Sequence, residues 1–372
     1  MRRWQIWFLG SALVARLVAA GLGPTYQDAG NGLSRMELRI PTGPWSVQVV
    51  RMERSRTNLV LMPTLGSGDR IGLDTLSAQV GRIPKDLGEP LAAINGDFYQ
   101  TEDESMPGDP RGLFIRRGEL ISVPAARDCF WLDREGKPRI GMVKSGLQLT
   151  WPDGEITPLG LNEDPGDLDA VLFTPAAGRA ADEFRGTRLI LERAGEGPWL
   201  PLRADTAYTA RVARATDATA TNLVLRVASH LRPQATRLKA GGKVRISTRM
   251  TPGMAGVTTA LGGGPALVRG GLALTPRASK SNEQHPRSAL GWNAQHFFLV
   301  TVDGRQSGFS EGMTLSELAR QMAQLGCEEA MNLDGGGSTE LWLRGRILNR
   351  PCYGHERRTA SGLVVLRLPG KP

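Results

Sequence analysis

One segment constrains this chain more than any other: Leu333-Asp334-Gly335-Gly336-Gly337-Ser338. A short apolar run, residues 330–333, ends in an acid, and three glycines and a hydroxyl follow. Glycine allows backbone angles that side chains forbid and lets a ligand touch the main chain. Consecutive free N–H groups in such a turn can form an anion-binding concavity, and an acid beside them suits chemistry at a phosphate or sugar oxygen. The alternative is a plain glycine turn, because Asp-Gly is common in hairpins.

A strand–helix–strand unit is predicted over residues 297–333, ending at the glycine-rich segment. Residues 297–302 have the pattern of a buried strand. Thr314 is a candidate N-cap with Glu317 as its capping-box partner, and Gly326 ends the predicted helix. The apolar stripe of that helix is formed by Leu315, Leu318, Ala319, Met322 and Leu325. Residues 330–333 then form the next predicted strand.

Two acids follow these strands, Asp303 after the first and Asp334 after the second. Strand–helix–strand crossovers usually join parallel strands, so we expect both acids at the same edge of one sheet. Because neighbouring strands lie about 4.8 Å apart, the two carboxylates are expected to share a site. Two Asp-Gly turns that act only as turns are the alternative.

Polar residues and glycines also follow two other apolar runs. Residues 91–94 form a candidate buried strand that ends at Asn95 and Asp97. Asn95 can orient a sugar hydroxyl, and Asp97 can act as an acid, a base or a metal ligand, although an Asx-turn explains them equally well. A second triple-glycine turn, Gly262-Gly263-Gly264, leads into an apolar strand.

Candidate anion-binding side chains lie in the same half of the chain. Arg287, followed by Ser288, offers a planar and permanently charged fork that suits phosphate, unless it forms a surface salt bridge. Near the C-terminus, Glu356 and Arg357 fit either a site or an ordinary surface.

The chain of 372 residues is long enough for a large core, and its net charge of +9 gives a basic surface that can hold anionic polymers or substrates. No run of Lys and Arg with interleaved aromatics occurs, so a nucleic-acid partner is not predicted. Three cysteines, Cys129, Cys327 and Cys352, lack metal-ligand spacing, and their pairing is left open.

Residues 1–22 have the pattern of a secretory signal: a basic start at Arg2 and Arg3, an apolar run over 4–15, and small residues at 18–20. Arg16 interrupts the apolar character, so an uncleaved N-terminal membrane anchor is the alternative. No later segment is long and apolar enough to span a bilayer. The predicted location is therefore secreted, periplasmic or in the cell envelope.

Seven short motifs occur in one order: Asn95-Gly96-Asp97-Phe98, Gly262-Gly263-Gly264-Pro265, Arg287-Ser288-Ala289-Leu290-Gly291, Asp303-Gly304, Leu333-Asp334-Gly335-Gly336-Gly337-Ser338, Asn349-Arg350-Pro351 and Glu356-Arg357. This ordered set resembles the phosphodiester glycosidase family, also called the NAGPA-like domain family, over residues 35–368. The resemblance implies an α+β fold that is mostly β, with curved mixed and antiparallel sheets packed around a central helix. Regularly spaced short strands also predict a β-rich lobe at about 145–255.

The resemblance implies the site residues as well. The implied catalytic acids are Asp334, Asp303 and Asp97. The implied substrate-binding residues are Asn95, Arg287, Ser288, Gly263, Gly264, Gly335, Gly336, Gly337, Ser338, Glu356 and Arg357. Many family members resemble Asn-Gly-Gly-Phe where this chain has Asp97 as the third residue.

The leading functional hypothesis is an exported hydrolase that cleaves a sugar-1-phosphodiester in envelope or extracellular glycans, with a sugar phosphate or anionic glycan as its substrate. A second hypothesis is a metal-dependent phosphodiesterase, in which Asp97, Asp303 and Asp334 hold a divalent cation such as Ca²⁺ or Mg²⁺ through oxygen ligands. The third is an envelope protein that binds anionic polysaccharide without catalysis.

Overall fold

The computed structural model describes residues 25–178, 184, 186–213, 222–276 and 281–370. The predicted export segment, residues 1–22, lies outside this range, so export stays a prediction. Among the described residues, no helix is both long and apolar enough to cross a membrane.

Short strands dominate the described residues. In chain order the strands are β1 (Gln27–Gly30), β2 (Leu33–Ile40), β3 (Trp45–Glu53), β4 (Leu59–Leu65), β5 (Glu89–Asn95), β6 (Phe114–Arg116), β7 (Glu119–Ser122), β8 (Asp128–Leu132), β9 (Pro138–Met142), β10 (Lys144–Thr150), β11 (Ile156–Pro158), β12 (Gly160–Leu161), β13 (Ala170–Phe173), β14 (Thr187–Arg193), β15 (Ala207–Val212), β16 (Leu223–Val227), β17 (Lys243–Thr251), β18 (Thr259–Gly262), β19 (Ala266–Arg269), β20 (Leu272–Ala273), β21 (Arg287–Trp292), β22 (His296–Val302), β23 (Glu329–Asn332), β24 (Leu341–Leu343), β25 (Arg346–Ile347) and β26 (Ser361–Arg367). The α-helices are α1 (Leu76–Gly81), α2 (Arg232–Arg237) and α3 (Leu315–Gln324). Single 3₁₀ turns lie at Pro175–Ala177, Ser229–Leu231 and Gly336–Ser338.

The strands form four sheets. The first has the order β1-β2-β3-β22-β21-β23-β19-β20, and the second β11-β10-β17-β15-β14-β16-β13-β12. The third has the order β7-β6-β18-β8-β9, and the fourth β25-β24-β5-β26-β4. Within the described residues, β12 and β13 form the one parallel pair, and the other paired strands are antiparallel. The prediction of a mostly β fold with antiparallel sheets is confirmed.

The second sheet lies entirely between residues 144 and 251, and its core is shared with the third sheet, which contributes Ile115 of β6 and Leu120 of β7. Alternate residues of its strands face that core, including Leu149, Leu191, Leu225 and Ile246. A single buried face explains this alternation, because successive side chains of a strand point to opposite faces of the sheet. The domain boundaries proposed from the sequence stay a prediction.

The first sheet is covered on both faces. On β3, Val49 packs in a cluster with helix α3, whereas its neighbour Val50 packs in a different cluster. That second cluster also contains Leu61 of β4 and Leu363 of β26 from the fourth sheet. The first sheet therefore lies between helix α3 and the fourth sheet. The start of β21 and the end of β23 lie beside the end of β5, where Ser288 Oγ donates to Asn95 Oδ1 and the Asp334 amide donates to the Gly96 carbonyl.

Helix α3 begins and ends where its sequence predicts. Thr314 Oγ1 accepts a hydrogen bond from the Glu317 amide at 3.2 Å, and Glu317 Oε2 accepts one from the Thr314 amide at 2.8 Å. This reciprocal pair satisfies donors at the helix start that have no partner inside the helix. Gly326 follows the helix at a φ of +88°, a conformation that favours glycine.

Strands β22 and β23, which precede and follow helix α3, are not neighbours in the sheet. The sequence had predicted adjacent strands, with the acids that follow them close together. In β21, Leu290 pairs with Leu299 of β22 on one side and with Met331 of β23 on the other, both antiparallel. Thus β22 and β23 run in the same direction but are separated by β21, roughly twice the usual strand spacing of about 4.8 Å. The expectation that Asp303 and Asp334 follow adjacent strands is wrong, because the hairpin partner of β22 occupies the intermediate position.

Candidate active site

Six chain segments meet around one cavity: the ends of β5, β18, β22 and β23 and the starts of β8 and β21. The cavity has a volume of about 510 Å³. Its wall includes Phe98, Arg127, Asp128, Gly263, Gly264, His285, Arg287, Arg305, Asn332, Asp334, Gly335 and Gly336. Both triple-glycine turns and the predicted phosphate-binding arginine therefore contribute to one cavity.

Asp334 is held at this wall by its backbone. Its amide donates to the Gly96 carbonyl at 3.0 Å, and its carbonyl accepts from Asn95 Nδ2 at 2.7 Å. The carboxylate accepts from the Gly335 amide at 2.9 Å and is hydrogen-bonded to Ser338. Burial raises the pKa of Asp334 to about 6, and the hydrogen bond from Ser338 opposes that rise. The acid is therefore rigidly placed, with a pKa close to neutral pH.

Asp97 is a second acid whose pKa responds to the charge of Asp334. Its Oδ1 accepts from the Phe98 amide at 2.8 Å, and its side chain is almost wholly buried behind the cavity wall. Burial raises the pKa of Asp97 to about 7, and the charge of Asp334 adds to that rise. The Phe98 amide and the Arg127 charge act in the opposite direction. The structure thus brings Asp97, rather than Asp303, together with Asp334.

The glycines around Asp97 make room for its carboxylate. A Cβ at Gly262 would lie 2.2 Å from Asp97 Oδ2, and one at Gly112 would lie 2.7 Å from the same atom. Any other residue at these positions would displace the acid or the backbone. Gly263 is constrained similarly, because its Cβ would lie 2.7 Å from the Asn332 carbonyl oxygen.

Asp303 lies away from the cavity in a separate network. Its Oδ2 accepts from Ser46 Oγ at 2.8 Å, and its Oδ1 accepts from the Arg350 amide at 2.8 Å and from Asn349 Nδ2 at 3.4 Å. Burial raises the pKa of Asp303, and the hydrogen bond from Ser46 opposes the rise. The structure gives this acid a role in joining β22 to β3 and to the turn at Asn349.

Asn95 and Ser288 lie behind the wall rather than on it, and both are almost fully buried. Asn95 Oδ1 accepts from Ser288 Oγ at 2.6 Å and from the Glu340 amide at 3.1 Å. Because Asn95 Nδ2 donates to the Asp334 carbonyl, this network fixes the backbone position of Asp334. In this structure, direct contact between these two side chains and a ligand in the cavity is blocked by the wall.

The Gly335-Gly336-Gly337 turn is not a row of free amides. The Gly335 amide donates to Asp334 Oδ1, and the Gly336 amide donates to the Pro286 carbonyl at 2.8 Å. Gly337 is glycine for a steric reason, since a Cβ there would lie 2.2 Å from the Tyr353 ring. The expected anion-binding concavity is therefore not formed by the first two glycines, and positive charge at the cavity comes from side chains.

Three arginines provide that charge: Arg127, Arg287 and Arg305. Arg287 Nε donates to the Met313 carbonyl at 2.8 Å, and burial lowers its pKa to about 10, so it stays charged at neutral pH. Arg127 lies over the Phe98 ring, 4.8 Å from the ring centroid. The sequence analysis missed Arg127 and Arg305. The position of Arg305 directly after Asp303-Gly304 was the available signal, whereas Arg127 carries none.

Glu356 and Arg357 lie beside a second cleft of about 460 Å³ rather than on the wall of the first. Glu356 Oε2 accepts from the Ser77 amide at 2.9 Å in the first turn of α1. Arg357 Nη1 lies 3.5 Å from Ser338 Oγ, and its charge lowers the pKa of Asp334. Arg357 therefore acts on Asp334 without lining the cavity, and Glu356 stabilises a helix start.

A further buried acid, Glu340, was missed by the sequence analysis. Its Oε1 accepts from the Arg357 amide at 2.7 Å, and its Oε2 has no hydrogen-bond partner among the described residues. Burial raises the pKa of Glu340 to about 8. Its place just beyond the Ser338-Thr339 pair was the only sequence signal.

The divalent-cation hypothesis requires several ligand side chains close together. In the described part of the chain, no group of three or more His, Cys, Asp or Glu side chains could hold a metal ion. The three cysteines are free thiols, with Cys129 and Cys327 buried.

Comparisons with known proteins agree with this architecture. Two solved structures share the fold: a hypothetical protein from Synechocystis, with a TM-score of 0.70 and 19% identity over 94% of this chain and 65% of that chain, and a candidate exported protein from Burkholderia pseudomallei K96243, with a TM-score of 0.65 and 22% identity over 87% of this chain and 74% of that chain. The prophage-derived protein YomE of Bacillus subtilis is 35% identical over 85 residues, which span 23% of this chain and 13% of YomE.

The family comparison concerns the C-terminal part of the chain. The family model described as phosphodiester glycosidase matches residues 208–366. This range contains Arg287, Asp303 and Asp334 and ends after the Glu356-Arg357 motif, whereas Asn95 and Asp97 precede it. Residues 208–366 are therefore similar to the phosphodiester glycosidase family, the family that the ordered motifs resemble.

Proposed function

We propose that this protein is an exported hydrolase that cleaves a sugar-1-phosphodiester in envelope or extracellular glycans. One observation carries the proposal: two carboxylates with raised pKa values, Asp334 on the wall and Asp97 behind it, adjoin a cavity lined by Arg127, Arg287 and Arg305. Strongly perturbed acids beside a cavity are typical of catalytic sites. The family of residues 208–366 supports the choice of a phosphodiester as substrate.

Asp334 is the proposed general acid–base residue because it is the member of the pair that faces the cavity. A pKa of about 6 leaves both protonation states accessible near neutral pH, which suits proton transfer to or from a reacting oxygen. Asp97 is the proposed positioning residue. Two like charges in one buried place resist joint ionisation, so the pair is expected to retain a proton at mildly acidic pH.

The proposal is tested by turnover in heavy-oxygen water with a panel of methyl sugar-1-phosphodiesters. Glycosidic cleavage places the heavy oxygen in the sugar, whereas phosphodiesterase cleavage places it in the phosphate. We expect the label in the sugar. Asp334→Asn should reduce turnover by about 10²- to 10⁴-fold, while the matched control Asp86→Asn, at an exposed position, should match the parent.

Two results would contradict the proposal. One is the absence of sugar release across the whole panel by correctly folded protein. The other is label in the phosphate together with loss of activity on chelation and recovery with Mg²⁺ or Ca²⁺, which would favour the metal-dependent phosphodiesterase instead.

A further inference from the structure

Two of the cavity arginines are close neighbours. Arg287 begins β21, and Arg305 follows β22, its hairpin partner in the first sheet. Burial lowers the pKa of Arg287, and the positive charge of Arg305 acts in the same direction, against the charge of Glu283. The two guanidinium groups therefore interact electrostatically at the cavity wall.

In the described part of the chain, neither arginine forms a salt bridge with a carboxylate, although the charge of Glu283 acts on Arg287. Arg287 donates to two backbone oxygens, the Met313 carbonyl at 2.8 Å and the Glu283 carbonyl at 2.7 Å. The polar partner found for Arg305 is the His285 ring, with Nη2 and Nδ1 separated by 3.3 Å. Two like charges held together on a cavity wall are stabilised when an anion binds between them.

His285 holds Arg305 in place. Its Nε2 lies 2.9 Å from Glu283 Oε2, and a carboxylate accepts hydrogen bonds, so Nε2 carries the proton. Nδ1 is then free to accept from Arg305. Burial lowers the pKa of His285, and the charges of Arg287 and Arg305 add to the effect, against Glu283. The lowered pKa favours the neutral imidazole, which keeps this lone pair.

Two glycines allow the close approach of these groups. A Cβ at Gly312 would lie 2.4 Å from the backbone of His285, and one at Gly336 would lie 3.2 Å from Arg305 Nη2. Both glycines have positive φ angles, +96° and +61°. The turn that carries Asp334 is therefore shaped to accept the Arg305 guanidinium beside it.

We propose that Arg287 and Arg305, with Arg305 positioned by His285, form a subsite for a dianionic phosphate monoester. The biological ligand rests on the proposed function: water attacks the anomeric carbon, the carbon–oxygen bond to phosphate breaks, and the phosphate leaves with the bridging oxygen. One proton of the water stays in the new sugar hydroxyl, and the other passes to the departing phosphate, which releases it to solvent above its second pKa. A diester with one negative charge thereby becomes a monoester that carries two above its second pKa of about 6. The paired arginines therefore hold the product more tightly than the substrate, and the enzyme is inhibited by its phosphate product.

Isothermal titration calorimetry with the full chain at pH 7.5 tests this subsite. The probes are methyl phosphate, largely a dianion at this pH, and dimethyl phosphate, a monoanion. We expect methyl phosphate to bind about tenfold more tightly or better, because each guanidinium gains from the second charge. Arg305→Gln should remove most of this preference. Arg320→Gln removes the same charge from an exposed position on α3 and should leave both affinities within about twofold of the parent.

Two His285 variants separate positioning from general stability, with thermal melting as the folding control. His285→Phe removes the acceptor for Arg305 and should reduce the preference for methyl phosphate, whereas His285→Asn retains an acceptor and should preserve part of it. Equal affinities for the two phosphates in the parent, or equal losses in Arg305→Gln and Arg320→Gln, would overturn the subsite. Turnover distinguishes the two proposals: activity without the charge preference refutes only the subsite, and the preference without activity refutes only the reaction.

Discussion

At the scale of single residues, Asp97 and Asp334 acquire unusual properties from their surroundings. Each is a short acid in a turn, yet burial raises the pKa of Asp97 to about 7 and that of Asp334 to about 6. The glycines at 112 and 262 leave the space that Asp97 needs. Acids with such shifted pKa values are common at catalytic sites, which is the role proposed for this pair.

The proximity of these acids can be tested without an activity assay. We expect Asp334→Asn to lower the pKa of Asp97 below about 7, because the charge of Asp334 is one of the causes that raise it. The pKa should stay above the ordinary aspartate value, since burial is the larger cause. Carbon-13 NMR titration of the Asp97 carboxyl group measures the shift. Asp303→Asn is the control and should leave this pKa unchanged, and an identical Asp97 titration in Asp334→Asn and the parent would show that the two acids are independent.

At the scale of elements, the start of helix α3 contributes to the site, because its first residue, Leu315, lines the cavity. Its N-cap, Thr314, directly follows Met313, whose carbonyl accepts the hydrogen bond from Arg287 Nε. The capping box thus fixes the segment that orients a cavity arginine. The capping of helix α3 and the position of the Arg287 guanidinium are therefore coupled, because the N-cap Thr314 and the hydrogen-bond acceptor Met313 are consecutive residues.

Thr314→Ala is expected to lower the free energy of unfolding by about 1 kcal/mol, the typical effect of losing a side-chain N-cap. Urea denaturation followed by circular dichroism measures this change. Arg320→Ala, at an exposed position of the same helix, serves as the matched control and should stay within about 0.5 kcal/mol of the parent. If Thr314→Ala proved as stable as Arg320→Ala, the capping box would be energetically unimportant.

At the scale of the whole molecule, the buried acids make stability depend on pH. Burial raises the pKa of Glu340 from 4.5 in its ordinary environment to about 8. Between these values the folded protein keeps a proton that the unfolded chain releases. The stabilisation from this proton is therefore complete below about pH 4.5 and is lost as the pH rises through about 8. The raised pKa values of Asp97 and Asp334 also make the folded protein less stable as the pH rises, each over a narrower pH range.

Glu340→Gln should flatten this dependence. As the pH rises from 5 to 8, the free energy of unfolding of the parent is expected to fall more steeply than that of the variant. For one proton the difference in slope is up to about 1.4 kcal/mol per pH unit. The variant lacks the titrating group, so its curve should be shallower. Chemical denaturation at a series of pH values measures both slopes, with the exposed Glu135→Gln as control. Parallel curves for Glu340→Gln and the parent would mean that Glu340 ionises normally in the folded protein.

The sequence by itself determined the features that depend on nearby residues. The capping box of α3, its end at Gly326, and the strands at 91–94, 297–302 and 330–333 were all predicted, because hydrophobic periodicity and capping act over a few positions. The ordered motifs also pointed to the family that residues 208–366 match.

Only the tertiary structure decided which polar groups meet. Strand order within a sheet is set by pairing between distant segments, so the insertion of β21 between β22 and β23 left no trace in the local pattern. That insertion separates Asp303 from Asp334, while the end of β5 in another sheet brings Asp97 to it. Long-range packing also buries Asn95 behind the wall and places Arg127 on it. The residues next to Asn95 and Arg127 in the sequence do not indicate either position.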